Sequence, residues 1–201
     1  MRIALGLEYD GSGFCGWQRQ TTGRTVQGCL EDALSVVADH TVDVVCAGRT
    51  DTGVHATGQV IHFDSSAPRD AEAWVRGVNS NLPGDVSVQW AVAVGPDFHA
   101  RFSARRRSYR YIILNKSVAS ALLRDRVSRV YQALDVHAMT AAAGHLLGEH
   151  DFTSLRAAAC QAKHPVRTIY RLDVRRYGDF IYLDVTANAF LHHMVRCIAG
   201  V

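Results

Sequence analysis

One carboxylate in a tight bend is the first feature of this sequence that could do chemistry. In VVCAGRTDTGVHATGQVIHF, Val44 to Phe63, a run rich in β-branched residues reaches Gly48, and Arg49 and Asp51 follow two residues apart. Thr52 and Gly53 continue the turn. An aspartate so placed either caps a turn, accepting from nearby backbone amides, or is a reactive group held in a fixed position. Rivals are few. His192 and His193 are adjacent, so on a helix their rings would point about 100° apart, and no H-x-x-x-H pair occurs. Cysteines at 15, 29, 46, 160 and 197 form no C-x-x-C pair, which argues against a zinc knuckle or a disulfide framework. They read as buried thiols in a reducing compartment. No G-x-S-x-G elbow is present, and GSGFCG at 11–16 matches G-x-G-x-x-G without a helix opening at its third glycine. WQRQTTGR intervenes, which reads instead as a flexible loop carrying Trp17, Gln18 and Arg19.

The elements that must position these residues follow from hydrophobic spacing. Ile3, Leu5, Leu7 and Tyr9 alternate as in a half-buried strand. Thr25 is an N-cap for a helix burying Val26, Cys29, Leu30, Ala33, Leu34 and Val37. Strands are predicted at 42–47, 58–64 and 86–94, with a helix over 70–79 that turns Trp74, Val75 and Val78 inward. The second half repeats the pattern: a strand at 106–114 with Tyr109, Tyr111 and Ile113 on one face, then a helix from Asp135 burying Val136, Met139, Ala143 and Leu146. Strands at 166–175 and 180–187 meet at a YGD hairpin, where Gly178 can take positive φ. A last helix begins in NAFLHHMVRCIAGV. The expected fold is α+β: two ferredoxin-like (βαββαβ) units, 1–104 and 105–201, sharing an extended antiparallel sheet with an active-site cleft between them. The second unit lacks a closing strand, which reads as a truncated chain.

Composition is that of a soluble globular protein, 48% hydrophobic and 20% charged, with a net charge of +3. Lysine occurs only at 116 and 163, so arginine supplies the rest of the base. Arginine makes two-pronged bonds to phosphate and stacks on bases, although GC-rich coding gives the same bias. MRIALGLEYD lacks the apolar stretch of a signal peptide, and no apolar run spans a bilayer. A cytoplasmic location follows as the expectation, with no membrane partner.

GRTDTGVH alone would favour a turn cap. Set beside YDGSGFCGWQRQ, NSNLPGD, FHARFSARRRSYRYIILN, LLGEHDFTS and ANAFLHHMVRCIAG, in that order along the chain, it resembles the tRNA pseudouridine synthase A family, over nearly the whole sequence. The resemblance implies an isomerase that converts uridine to pseudouridine in the anticodon stem-loop of tRNA, around positions 38 to 40, with no cofactor and no metal. It implies a homodimer with tRNA touching both subunits. It also implies a longer chain, with a closing strand and a leucine lining the uracil pocket.

By that resemblance Asp51 is the nucleophile. Whether it attacks C1′, yields a glycal by removing the 2′ proton, or adds to C6 of the base is left open by the sequence. Tyr109 matches the family's active-site tyrosine, which would stack on the extruded uracil or assist removal of the C5 proton. Arg196 would oppose the carboxylate and keep it charged against desolvation. Arg49 would fix the loop, bind phosphate or push out the base. Arg19, Arg105, Arg106, Arg107 and Arg110 are candidate RNA contacts, positioning the backbone without reading sequence. The rival function is a non-catalytic RNA-binding protein or tRNA chaperone of the same fold.

Overall fold

The computed structural model describes residues 1–201, which divide into two compact units, Met1–Ala104 and Arg105–Val201. In the first unit the order is β1 (Arg2–Tyr9), α1 (Val26–Ala38), β2 (Val45–Cys46), β3 (Ala56–Asp64), α2 (Ala71–Asn81) and β4 (Val86–Val94). The strands form one sheet, β2-β3-β1-β4, in which every pairing is antiparallel. β1 and β2 therefore run parallel with β3 between them, the arrangement of a split β-α-β unit. Thr25 caps α1, its hydroxyl accepting from Gly28 N, and Asp70 caps α2 by accepting from Ala73 N. Leu30 and Leu34 of α1 and Trp74 and Val78 of α2 meet Leu5, Leu7, Ile61 and Phe63 of the sheet in one core.

Two expectations for this unit change. The strand predicted at 42–47 is only Val45–Cys46. Its first donors are drawn away by side chains of α1: Val42 N donates to Ser35 Oγ and Val44 N to Glu31 Oε1. The loop after β1 is anchored where flexibility was expected. Trp17 is 1% exposed, its N–H donates to Thr50 O and its carbonyl accepts from Gln27 N.

The second unit runs β5 (Arg107–Asn115), β6 (Ser128–Val130), α3 (Val136–Gly144), β7 (Gly148–Asp151), β8 (Val166–Tyr177), β9 (Phe180–Ala187) and α4 (Met194–Gly200). Its sheet has the order β6-β5-β9-β8-β7. Asp135 caps α3 through His137 N and Ala138 N, and Gly178 takes φ +56 in the β8–β9 turn. Val185, Leu172, Ile169, Met194 and Ile198 form one cluster, with Ile113, Ile181 and Leu183 in another. The short strands β6 and β7 escape the sequence reading because three and four mostly polar residues carry no usable periodicity.

Three further corrections concern the whole pattern. The strands form two sheets, one in each unit, where one shared sheet was expected. The last helix starts at Met194, because Asn188 Oδ1 accepts from Ala189 N and Thr168 N and His193 sits at φ +60. An asparagine bonded to its own backbone competes with helix, and a left-handed residue interrupts it. Among the cysteines only Cys46 is buried, and Cys15 is exposed. No helix is long and apolar enough to cross a membrane.

Candidate active site

Asp51 lies just beyond the point where the chain leaves β2. Residues 51–54 make a turn closed by the backbone, Val54 N donating to Asp51 O at 3.1 Å with Gly53 at φ +78. Closure of the bend thus rests on the backbone of Asp51 and Val54. Asp51 is half-buried and Arg49 exposed.

Three neighbours hold this loop. Tyr9, at the end of β1, bonds through its hydroxyl to Thr50 Oγ1 at 2.8 Å. Trp17 N–H donates to Thr50 O at 3.0 Å. Gln59, on β3, donates from Nε2 to Gly48 O at 2.6 Å. His55, at the far side of the turn, brings Nδ1 within 3.2 Å of Gly11 N and 3.0 Å of Asp10 Oδ1. A neutral ring accepts from Gly11, and a protonated one pairs with Asp10.

The glycines of GSGFCG find their purpose here. A Cβ on Gly11 would lie 2.1 Å from Val54 O, and one on Gly16 would lie 2.9 Å from Thr50 O. Gly16 also takes φ +85, a conformation that side chains disfavour. The motif lets the two loops pack backbone to backbone; it does not cradle a pyrophosphate. Asp85, in the turn just before β4, braces the same loop, pairing both carboxylate oxygens with Arg24 at 2.6 and 2.7 Å and accepting from Asp10 N at its carbonyl. That pairing holds the Arg24 guanidinium more firmly protonated than usual.

In the second unit, Tyr109 faces inward from β5, half-buried, with the ring of Phe190 edge-on at 5.0 Å and 87°. Arg196 stands exposed in the first turn of α4. His192 and His193, expected to diverge on a helix, both precede α4, and their rings lie 4.0 Å apart. His193 takes a left-handed φ of +60 there.

The candidate RNA arginines are not equivalent. Arg19 is engaged by Glu31 at 2.9 Å and Asp32 at 3.0 Å, bonds that raise its pKa with Asp32 the larger cause. Arg110 makes a two-pronged pair with Asp184, at 2.6 and 2.9 Å, which holds that carboxyl below the usual range. Arg107 donates to Asn188 O at 2.7 Å. Arg106 lies over the Tyr170 ring at 5.2 Å, while Arg49, Arg105 and Arg106 are exposed. Gln59 and His55 were not singled out in the sequence, and Tyr9 only as a strand residue. The one available signal was a polar Gln59 in register with inward Ile61 and Phe63.

A sequence profile for the family described as tRNA pseudouridine synthase matches residues 7–103 and 142–201. Among curated relatives, the tRNA pseudouridine synthase A of Alcanivorax borkumensis is 58% identical over 201 residues, covering all of this chain and 75% of the relative. Those of Colwellia psychrerythraea and Vibrio campbellii are 56% and 55% identical over 200 residues, with 77% and 76% of the relatives covered. With both segments matched and relatives this similar along the whole chain, the chain belongs to the tRNA pseudouridine synthase family.

Proposed function

We propose that this isomerase converts uridine to pseudouridine in the anticodon stem-loop of tRNA, around positions 38 to 40, with Asp51 as nucleophile and without a cofactor. The observation that carries the assignment is the loop itself: its turn closes through the backbone and is clamped at Gly48 and Thr50. A carboxylate on so constrained a bend is pre-positioned for attack.

In the reaction the C1′–N1 bond breaks, the uracil turns, and C5 bonds to C1′. The proton lost from C5 is balanced by one gained at N1, so no atom and no electron is lost overall. Asp51 would hold the sugar or base during the rotation. Tyr109, with its ring fixed by Phe190, would stack on the extruded base. Arg196 would counter the desolvation that otherwise raises a carboxyl pKa. Exposed Arg49, Arg105 and Arg106 are the best suited to phosphate, since Arg19 and Arg110 are engaged by carboxylates. The protein would act as a homodimer.

Carbodiimide footprinting of treated tRNA tests the proposal. New adducts should arise in the anticodon arm with the wild-type protein and vanish with Asp51→Asn, while tRNA affinity stays nearly intact. Binding with no adduct from the wild-type protein would instead support a non-catalytic RNA chaperone.

A further inference from the structure

The β2–β3 ladder pairs Val45 with His62 and Cys46 with Ile61, and Ala47 N then donates to Val60 O at 2.8 Å. The next pair in that register, Gly48 with Gln59, is one whose peptide groups point away from each other in an antiparallel ladder. The side chain of Gln59 reaches Gly48 there. Its Nε2 donates to Gly48 O at 2.6 Å, and its Oε1 accepts from Gly48 N at a longer 3.4 Å. A primary carboxamide carries a donor and an acceptor in one plane, so it can meet both peptide groups of one residue. The chain is thereby peeled from the sheet one residue before Arg49.

Gln59 is 8% exposed and shares its strand face with Ile61 and Phe63. A buried amide among apolar neighbours is unfavourable unless bonded. Its partners here are the loop and Tyr9. Nε2 lies 3.5 Å from Tyr9 Oη, which in turn bonds Thr50 Oγ1 at 2.8 Å. One carboxamide thus fixes Gly48 directly and Thr50 through Tyr9, on either side of Arg49 and immediately before Asp51.

We infer that Gln59 is a positioning residue for the pseudouridine-forming reaction, acting through the Tyr9–Thr50 hydroxyl pair to set where Asp51 stands. The inference rests on the assignment of Asp51 as the catalytic carboxylate. Core packing alone does not account for the choice of glutamine, because methionine has similar volume and no amide to satisfy.

Single-turnover conversion of tRNA, tRNA affinity and thermal melting are measured together for Gln59→Met, Gln59→Glu, Thr50→Val and Thr50→Ser. Gln59→Met and Thr50→Val should slow conversion by about 10- to 100-fold, as a small displacement of a reacting group does, with affinity unchanged. Gln59→Glu, which offers Gly48 O only acceptors, should be at least as slow. Thr50→Ser keeps the hydroxyl and should convert near the wild-type rate. Thr50→Val, an isosteric change at a half-buried site, decides the matter should Gln59→Met fail to fold. Wild-type rates in Gln59→Met or Thr50→Val overturn the inference. So does a Thr50→Ser protein as slow as Thr50→Val, which would mean packing, or an affinity that falls in step with rate. An active Asp51→Asn protein overturns it differently, by removing the catalytic assignment whatever Gln59 does.

Discussion

At the scale of single residues, His62 shows how burial makes stability depend on pH. The residue is 4% exposed, Nδ1 accepts from Ala100 N at 3.1 Å, and the His99 ring lies 4.8 Å away, tilted at 57°. Burial, then Arg2 and His99, lower its pKa below the ordinary histidine value. Above that ordinary value neither folded nor unfolded chain holds the proton, and the stability is complete. As pH falls below it, the unfolded chain takes up a proton the folded one resists, so stability declines until the folded pKa is reached. Thermal melts between about pH 7 and pH 5 should therefore fall more steeply in the wild type than in His62→Asn, which removes the titration. Equal slopes would mean that His62 contributes nothing to the pH dependence.

At the scale of elements, the decisive contact is loop against loop. The segment after β1 lies flat on the segment after β2 because Gly11 and Gly16 present no side chain to Val54 O and Thr50 O. Gly16→Ala adds a close contact to a φ of +85 and should cost about 1–3 kcal/mol of stability, read by urea unfolding, with a slower reaction as the Asp51 loop shifts. Gly58→Ala is the matched control, since its Cβ would meet nothing within 4 Å; it should leave both quantities nearly unchanged. The same element scale explains two departures from periodicity. β2 is short because Ser35 and Glu31 take donors from the approaching chain, and α4 starts late because Asn188 satisfies its own backbone.

At the scale of the whole molecule, charge governs the encounter with RNA. A net charge of +3 is small, so affinity depends on where the exposed arginines not paired with carboxylates stand. Arg105→Ala and Arg106→Ala should each weaken tRNA binding and reduce the slope of log K against log salt by about 1. Arg19→Ala should act on the fold instead. It strips a partner from Glu31, which is 5% exposed and otherwise held by Gln27 Nε2 and Val44 N, so the melting temperature should fall further than the salt slope. Filter binding across a salt series and melting curves of the three variants separate the two effects.

The amino-acid order by itself determined the mixed α/β character, the caps at Thr25, Asp70 and Asp135, the hairpin glycine at 178, and the family-bearing stretch around Asp51. Each of these is written in neighbours a few residues apart, where periodicity and turn chemistry act locally. Only the tertiary structure decided that there are two sheets, that Trp17 is an anchor, and that Gln59, Tyr9 and Gly16 hold the loop of Asp51. Tyr9 and Thr50 are 41 positions apart in the chain. No local pattern announces such a bond, because it forms only when burial brings two distant polar groups to a place where each has the other to satisfy it.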